Sequence, residues 1–290
     1  MSTLHRPTPA SPSAPVRSSG SADAGPPRAV IFDWAGTAVD FGSRAPVMAL
    51  TALFAGRGIA LSEDQARSAM GMHKRDHIRA MCQLPDVAQA FQARFGRPWV
   101  EADVEALYSD LLPLTLAAAR ETTRLIPGIA ELCRALRGRG LRIGSTTGYN
   151  AEMMAEIAPL AAAQGYAPDA IVTVSDVPAG RPAPWMCFRN AERLGVYPPS
   201  ACVKVGDTPT DIDEGRNAGM WTIAFARCGN EVGLAETALA ALSIADQQAR
   251  IAAARSRLRA RGPHYIVDGP TEVLSCIDDI ATRLAEGERP

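Results

Sequence analysis

The chain holds 290 residues, 47% of them hydrophobic, enough for one large or two modest globular domains with a substantial core. Thirty basic residues against 31 acidic ones leave a formal charge of −1, so no global field draws the protein to nucleic acid or an anionic membrane, and an anionic substrate has to be captured locally. The six cysteines are scattered with no Cys-x-x-Cys pair, which argues against a disulfide framework and fits a reducing compartment.

Residues 1–27 are rich in Ser, Pro and Ala and lack the apolar stretch of a secretory signal, so a disordered tail is expected there. No segment has the uncharged, apolar length that spans a bilayer, and the protein is expected to be soluble and cytoplasmic. From Ala29 onward, short β-branched runs bounded by turn residues alternate with longer amphipathic stretches, the pattern of a parallel α/β sheet. Strands are predicted at 29–32, 141–145, 170–174, 202–205, 221–226 and 264–267. The interval of roughly a hundred residues between the first two is too long for a plain βα crossover. It has helical periodicity at 46–54, 62–70, 74–82, 85–95 and 100–119. The expected division is therefore a discontinuous α/β core, 28–43 and 123–290, interrupted by an α-helical cap at 44–122.

Ligands of open α/β sheets bind beyond the carboxyl ends of the strands, so residues just after each strand share one crevice. Asp33 ends the first apolar run and opens the turn Trp34-Ala35-Gly36-Thr37; Thr146, Thr147 and Gly148 follow the second strand. Arg181 lies in the loop after the third, and Asp207, with Asp211 four residues on, follows the fourth. A carboxylate at such a mouth is a candidate nucleophile for phosphorus, provided a cation offsets the repulsion between two anions; Arg181 is permanently charged and fork-shaped. Thr147 offers a hydroxyl, and Gly148 precedes a helix opened by Asn150, where free N–H groups favour an anion. Asp33, Asp207 and Asp211 form a hard-oxygen set suited to Mg²⁺ rather than Ca²⁺, although Asp211 could equally brace its loop or favour a helix N-terminus.

These four segments resemble the haloacid dehalogenase-like superfamily: Asp-x-x-Gly-Thr at 33–37, a Ser/Thr after the second strand, a basic residue near proline, and Gly-Asp-x-x-x-Asp at 206–211. The resemblance runs from Ala29 to the C-terminus and implies a Rossmann-like parallel core with a helical cap and an aspartyl-phosphate at Asp33. It also implies a Mg²⁺ site of Asp33, the Ala35 backbone carbonyl and Asp207, with Asp211 bound directly or standing behind them. Two positions depart from the common phosphatase pattern. Ala35 stands where a second Asp is usual, and Arg181 where Lys is usual. That second Asp protonates a departing ester oxygen and then activates water, and alanine can do neither.

Lys74 and His77, three apart, are expected on one helix face, with Arg75 turned away, so that amine and imidazole look into the same space. Closed over the crevice, Lys74 could condense with a substrate carbonyl while His77 moves the protons. Together with Met70-Gly71, Ser145-Thr146-Thr147-Gly148-Tyr149 and Gly180-Arg181-Pro182, this combination resembles the phosphonoacetaldehyde hydrolase (phosphonatase) family. The resemblance implies hydrolysis of a carbon–phosphorus bond through a Lys74 Schiff base and an Asp33 aspartyl-phosphate, in 2-aminoethylphosphonate degradation. It places Ala35, Gly36, Met70, Gly71, Thr147, Gly148, Tyr149 and Arg181 around a small phosphonate, and suggests a homodimer through the cap. From the residues alone, Met70 and Tyr149 could simply be packing, and Met72 is expected to fill a core or interface gap. The alternatives are a phosphate-monoester phosphatase or sugar-phosphate mutase of the same fold, against which Ala35 argues, and a non-catalytic ligand-sensing module.

Overall fold

Four apolar residues in a row, Ala29–Phe32, form β1, buried on both faces as the inner strand of a parallel sheet must be. The computed structural model describes residues 25–290; the tail expected at 1–27 lies, up to residue 24, outside the described residues. After β1 the chain enters five helices in succession: α1 (Arg44–Ala55), α2 (Glu63–Arg67), α3 (Lys74–Gln83), α4 (Pro85–Phe95) and α5 (Glu101–Thr122). It returns to the sheet through α6 (Ile129–Gly138) and β2 (Arg142–Thr147), then α7 (Ala151–Ala162), β3 (Ala170–Thr173) and α8 (Trp185–Leu194). Next come β4 (Cys202–Gly206), α9 (Pro209–Asn217), β5 (Trp221–Phe225), α10 (Glu236–Ala240), α11 (Ile244–Arg259), β6 (Tyr265–Val267) and α12 (Val273–Ala285).

All strand pairs are parallel, in the order β3-β2-β1-β4-β5-β6. The order reverses at β1, which creates a crevice at the carboxyl ends of β1, β2 and β4. Because strand side chains alternate, Val30 and Phe32 join one core cluster with α6, α7 and α12, while Ala29 and Ile31 join another with α8. The sheet is thus covered on both faces. The helices between β1 and β2 bury a separate apolar cluster of their own, including Leu50, Phe54, Ile78, Met81, Phe91 and Leu107.

The second predicted helix is shorter than its periodicity implied. Ser62 and Gln65 close a capping box at its start, but α2 ends at Arg67, and the chain turns through Gly71 at φ +89°. Helices α8, α10 and α12 were not singled out in the sequence. The last of these carries a helical repeat of apolar residues, Val273, Cys276, Ile277, Ile280 and Leu284, all buried.

Close approach of α9 to the sheet depends on one residue. A β-carbon at Gly215 would lie 2.7 Å from Thr222 Cγ2 and 2.8 Å from Lys204 Cβ. Gly215→Ala is expected to lower unfolding stability by about 1–3 kcal/mol, as overpacking does, despite the better helix propensity of alanine. Urea denaturation of the two proteins checks this; an unchanged or raised midpoint contradicts it.

Candidate active site

Sheet register aligns the functional turns. Phe32 lies opposite Ser145 on β2 and Val205 on β4, so Asp33, the pair Thr146–Thr147 and the Gly206–Asp207 turn reach the same edge together. Asp33, Asp207 and Asp211 each present an oxygen within 4.8 Å of the others, and all three are buried. Glycines make this convergence possible: a β-carbon on Gly36 or Gly229 would collide with the Asp207 side chain, and one on Gly206 with that of Asp211.

Arg181 sits at the centre of these charges. Its Nη2 lies 2.6 Å from Asp33 Oδ1, its Nη1 lies 3.2 Å from Asp211 Oδ1, and its Nε donates to Glu214 Oε2 at 2.8 Å. A second cation, Lys204, lies 3.0 Å from Asp211 Oδ1 and 3.3 Å from Glu214 Oε2 and donates to Thr146 Oγ1 at 2.7 Å. Sequence reasoning missed Lys204 and Glu214. The only signal was a charged residue inside the apolar run of β4, with Glu214 three residues after Asp211 on the same face of α9. Arg181 thus pairs with three carboxylates, and its contact with Asp33 puts it where a cation could offset charge on that carboxylate.

The charges differ in what they feel. Burial raises the Asp33 carboxyl above its usual range, Arg181 working against it. Burial, with Asp33 and Asp211 adding like charge, pushes Asp207 well above its usual range, although Asn230 N donates to Oδ2 at 2.7 Å and Thr37 Oγ1 to Oδ1 at 2.8 Å. Asp211 is as deeply buried, yet Arg181 and Lys204 outweigh that penalty and hold it at about 2. It also accepts from Thr208 in a capping box at the start of α9, so loop bracing and helix capping both occur.

The residues fit a divalent cation. Four buried carboxylates, Asp33, Asp207, Asp211 and Glu214, face the buried cations Arg181 and Lys204 and, when protonated, Lys74, so a formal negative excess remains around an all-oxygen cluster. Asp33 and Asp207 remain available to an ion, while the ties of Asp211 to Arg181, Lys204 and Thr208 set it behind them.

The helical insertion supplies the opposite wall. A cavity of about 30 Å³ is lined by Asp33, Ala35, Ser43, Pro46, Met70, Gly71, Met72, Lys74, Thr147, Gly148, Tyr149, Arg181 and Thr208. Met72, expected only to fill a gap, belongs to this wall, as do Ser43, Pro46 and Thr208, which the motifs did not single out. Gly36 sits behind it against Asp207. Thr147 Oγ1 accepts from Tyr149 N at 3.1 Å, and Asn150 caps α7 by accepting from Met153 N at 2.8 Å. A larger cleft of about 880 Å³ lies between α2 and α11 and contains none of these residues.

Lys74 opens α3, is 6% exposed, and its Nζ stands 5.7 Å from the centre of the Tyr149 ring. Burial lowers its pKa to about 8, with Asp33 opposing and Arg181 assisting the drop. Lys74 and Lys204 are the only two lysines in the chain. His77 does not share the space. One turn further along α3 it is fully buried inside the insertion, its Nε2 2.7 Å from the Ala66 carbonyl oxygen, and it is absent from the cavity wall. Burial, then the charge of Lys74, drives its pKa to about 3, so the imidazole is neutral and its Nε2–H donates to Ala66. The expected imidazole facing the substrate is thus corrected: the helix axis points the first turn at the cavity and the next into the apolar interior. Arg75 turns away as expected, onto Tyr108 and Glu105.

Residues 27–219 match the model of the haloacid dehalogenase-like hydrolases. The chain is 46% identical over 266 residues to a phosphonoacetaldehyde hydrolase of Nitratidesulfovibrio vulgaris, covering 92% of this chain and 95% of the relative. It is 45% identical over 263 residues to that of Paraburkholderia phytofirmans, covering 91% and 98%. The crystal structure of a phosphonoacetaldehyde hydrolase-like protein from Oleispira antarctica superposes with a TM-score of 0.91 at 40% identity, covering 92% of this chain and 97% of that one. No helix among the described residues is long and apolar enough to cross a membrane. By motif, fold and similarity along nearly its whole length, the chain belongs to the haloacid dehalogenase-like hydrolases and, within them, to the phosphonoacetaldehyde hydrolase family.

Proposed function

We propose that this enzyme hydrolyses the carbon–phosphorus bond of phosphonoacetaldehyde, giving phosphate and acetaldehyde, with the helical insertion acting as a cap over the sheet edge. One observation carries the reading: a buried amine from the insertion and a buried carboxylate from β1 line the same small cavity. Of 30 basic residues 28 are arginine, and the two lysines both lie at the site. Arginine cannot lose its proton to become a nucleophile, whereas a buried lysine can.

The neutral Lys74 amine adds to the aldehyde carbon, and the resulting carbinolamine takes up one proton from solvent and expels water, leaving an iminium. An Asp33 oxygen then attacks phosphorus. The carbon–phosphorus pair withdraws toward the iminium nitrogen, so an aspartyl-phosphate and an enamine form together. Protonation of the enamine carbon regenerates an iminium, which one water hydrolyses to acetaldehyde and free Lys74. A second water releases phosphate from Asp33. Because the leaving atom is carbon, no acid is needed at the position of Ala35, which also speaks against a phosphate-ester phosphatase or mutase. His77, buried and neutral under Lys74, adds no charge of its own; burial, with Arg181 assisting, is what lowers the pKa of the amine. Thr147, Gly148 and Tyr149 line the phosphoryl side, and Met70, Gly71 and Met72 the aldehyde side.

Mg²⁺ suits the cluster, held by Asp33, Asp207 and the Ala35 carbonyl, and when bound it supplies neutralisation of phosphoryl charge.

Incubation with phosphonoacetaldehyde and Mg²⁺ is expected to release phosphate and acetaldehyde in equal amounts. Asp33→Asn and Lys74→Ala should each fall by at least about 10³-fold, the scale of losing a covalent catalyst. Comparable turnover of simple phosphate monoesters, or full activity in Lys74→Ala, overturns the assignment. Borohydride added with the aldehyde should leave stable mass on Lys74 alone. The initial trapping rate should climb as pH rises through about 8, since the ammonium present below that value cannot attack a carbonyl. A pH-independent rate across that range contradicts the perturbed amine.

A further inference from the structure

Two sets of hydrogen bonds tie the helical insertion to the loops that carry the acidic cluster, and they end on different carboxylates. The first centres on Arg67, the last residue of α2. Its Nη1 donates to the carbonyls of Gly42 at 2.8 Å and Ser43 at 3.3 Å, where the chain leaves the sheet, and to Asn230 Oδ1 at 3.2 Å. Its Nη2 donates to the Gly233 carbonyl at 2.8 Å. Asn230 in turn gives its backbone N–H to Asp207 Oδ2 at 2.7 Å. One guanidinium of the insertion therefore grips both the segment where the chain leaves the sheet and the loop after β5. The absence of a side chain at Gly233 admits it, since a β-carbon there would lie 2.8 Å from Arg67 Nε.

The second centres on Thr210, the second residue of α9. Its hydroxyl donates to the Met70 carbonyl at 3.2 Å and stands 3.0 Å from Thr208 Oγ1, which donates to Asp211 Oδ2. Gly71 makes room: a β-carbon there would collide with Thr210 Oγ1. Between Arg67 and Lys74 the insertion thus touches the core twice, at Arg67 and at Met70, and the second contact lies four residues before the amine.

We propose that Arg67 and Thr210 are positioning residues, which register the segment carrying Lys74 against the loops carrying Asp207 and Asp211. The amine and the Asp33 carboxylate then engage one substrate at once. The inference rests on the carbon–phosphorus hydrolysis proposed above. Imine formation needs only Lys74 and the aldehyde, whereas phosphoryl transfer also needs the iminium held over Asp33. Loosening the seat should therefore separate the two steps, which a residue that merely stabilises an interface would not do.

The test uses the full-length protein with phosphonoacetaldehyde and Mg²⁺, at a temperature where circular dichroism shows each variant folded. Arg67→Met and Thr210→Val are compared with Arg67→Lys and Thr210→Ser. Phosphate release gives kcat, and borohydride trapping followed by mass spectrometry reads the imine at Lys74. In Arg67→Met and Thr210→Val, kcat is expected to drop by about a hundredfold, the cost of a misplacement near 1 Å, with trapping within about threefold of wild type. Thr210→Ser, which keeps the hydroxyl, should recover most of kcat. Folded variants with wild-type kcat, or trapping that falls in step with phosphate release, overturn the inference. Should Arg67→Met not fold, the near-isosteric Thr210→Val and its serine counterpart decide the matter. A wild type that neither traps nor turns over overturns the activity, and this inference with it; a competent wild type beside equally competent variants overturns the inference alone.

Discussion

Everything at the sheet edge follows from confining like charges in a place with little water. Asp33, Asp207 and Asp211 stand within 4.8 Å of one another with almost no exposure. A buried carboxylate without compensation is far too costly to persist ionised. The surroundings are arranged accordingly. Arg181 and Lys204 take up Asp211, Glu214 anchors both cations from behind, and Thr37 and the Asn230 amide share Asp207. Glycines at 36, 206 and 229 let these groups approach as closely as they do. The compensation stops short of neutrality, and that remainder is what a divalent ion answers.

The two halves of the molecule divide the chemistry. The sheet supplies a carboxyl whose pKa burial raises; the insertion supplies an amine whose pKa the same cause lowers to about 8. Neither property belongs to a residue type by itself. A lysine on an exposed helix face keeps its proton, and Lys74 gives it up more readily because closure of the insertion on the sheet removes water from around it.

The fold was legible because its signals are local. Runs such as Ala29–Phe32 and Cys202–Gly206 announce buried parallel strands, and their ends coincide with Asp33 and Asp207. The site's chemistry was legible as far as spacing carries it: Lys74 falls on the cavity wall and Arg75 off it. The direction of a helix axis is a tertiary quantity, so equal spacing could not reveal that His77 points into the insertion, against Ala66. For the same reason Lys204 and Glu214, on a strand and a helix that meet only in three dimensions, gave no warning of their partnership with Arg181. Arg67 and Asn230, 163 positions apart, were equally silent.

The scarcity of lysine has one more chemical meaning. Aldehydes condense with any accessible primary amine, and an enzyme that consumes one aldehyde and liberates another works in a bath of its own potential modifiers. Both lysines here are enclosed, and the remaining basic side chains are guanidinium groups, which do not form such imines under mild conditions. Its lysine side chains thus offer no exposed amine for an adduct, so that under the proposed mechanism carbonyl reactivity falls where it leads to product rather than to self-inactivation.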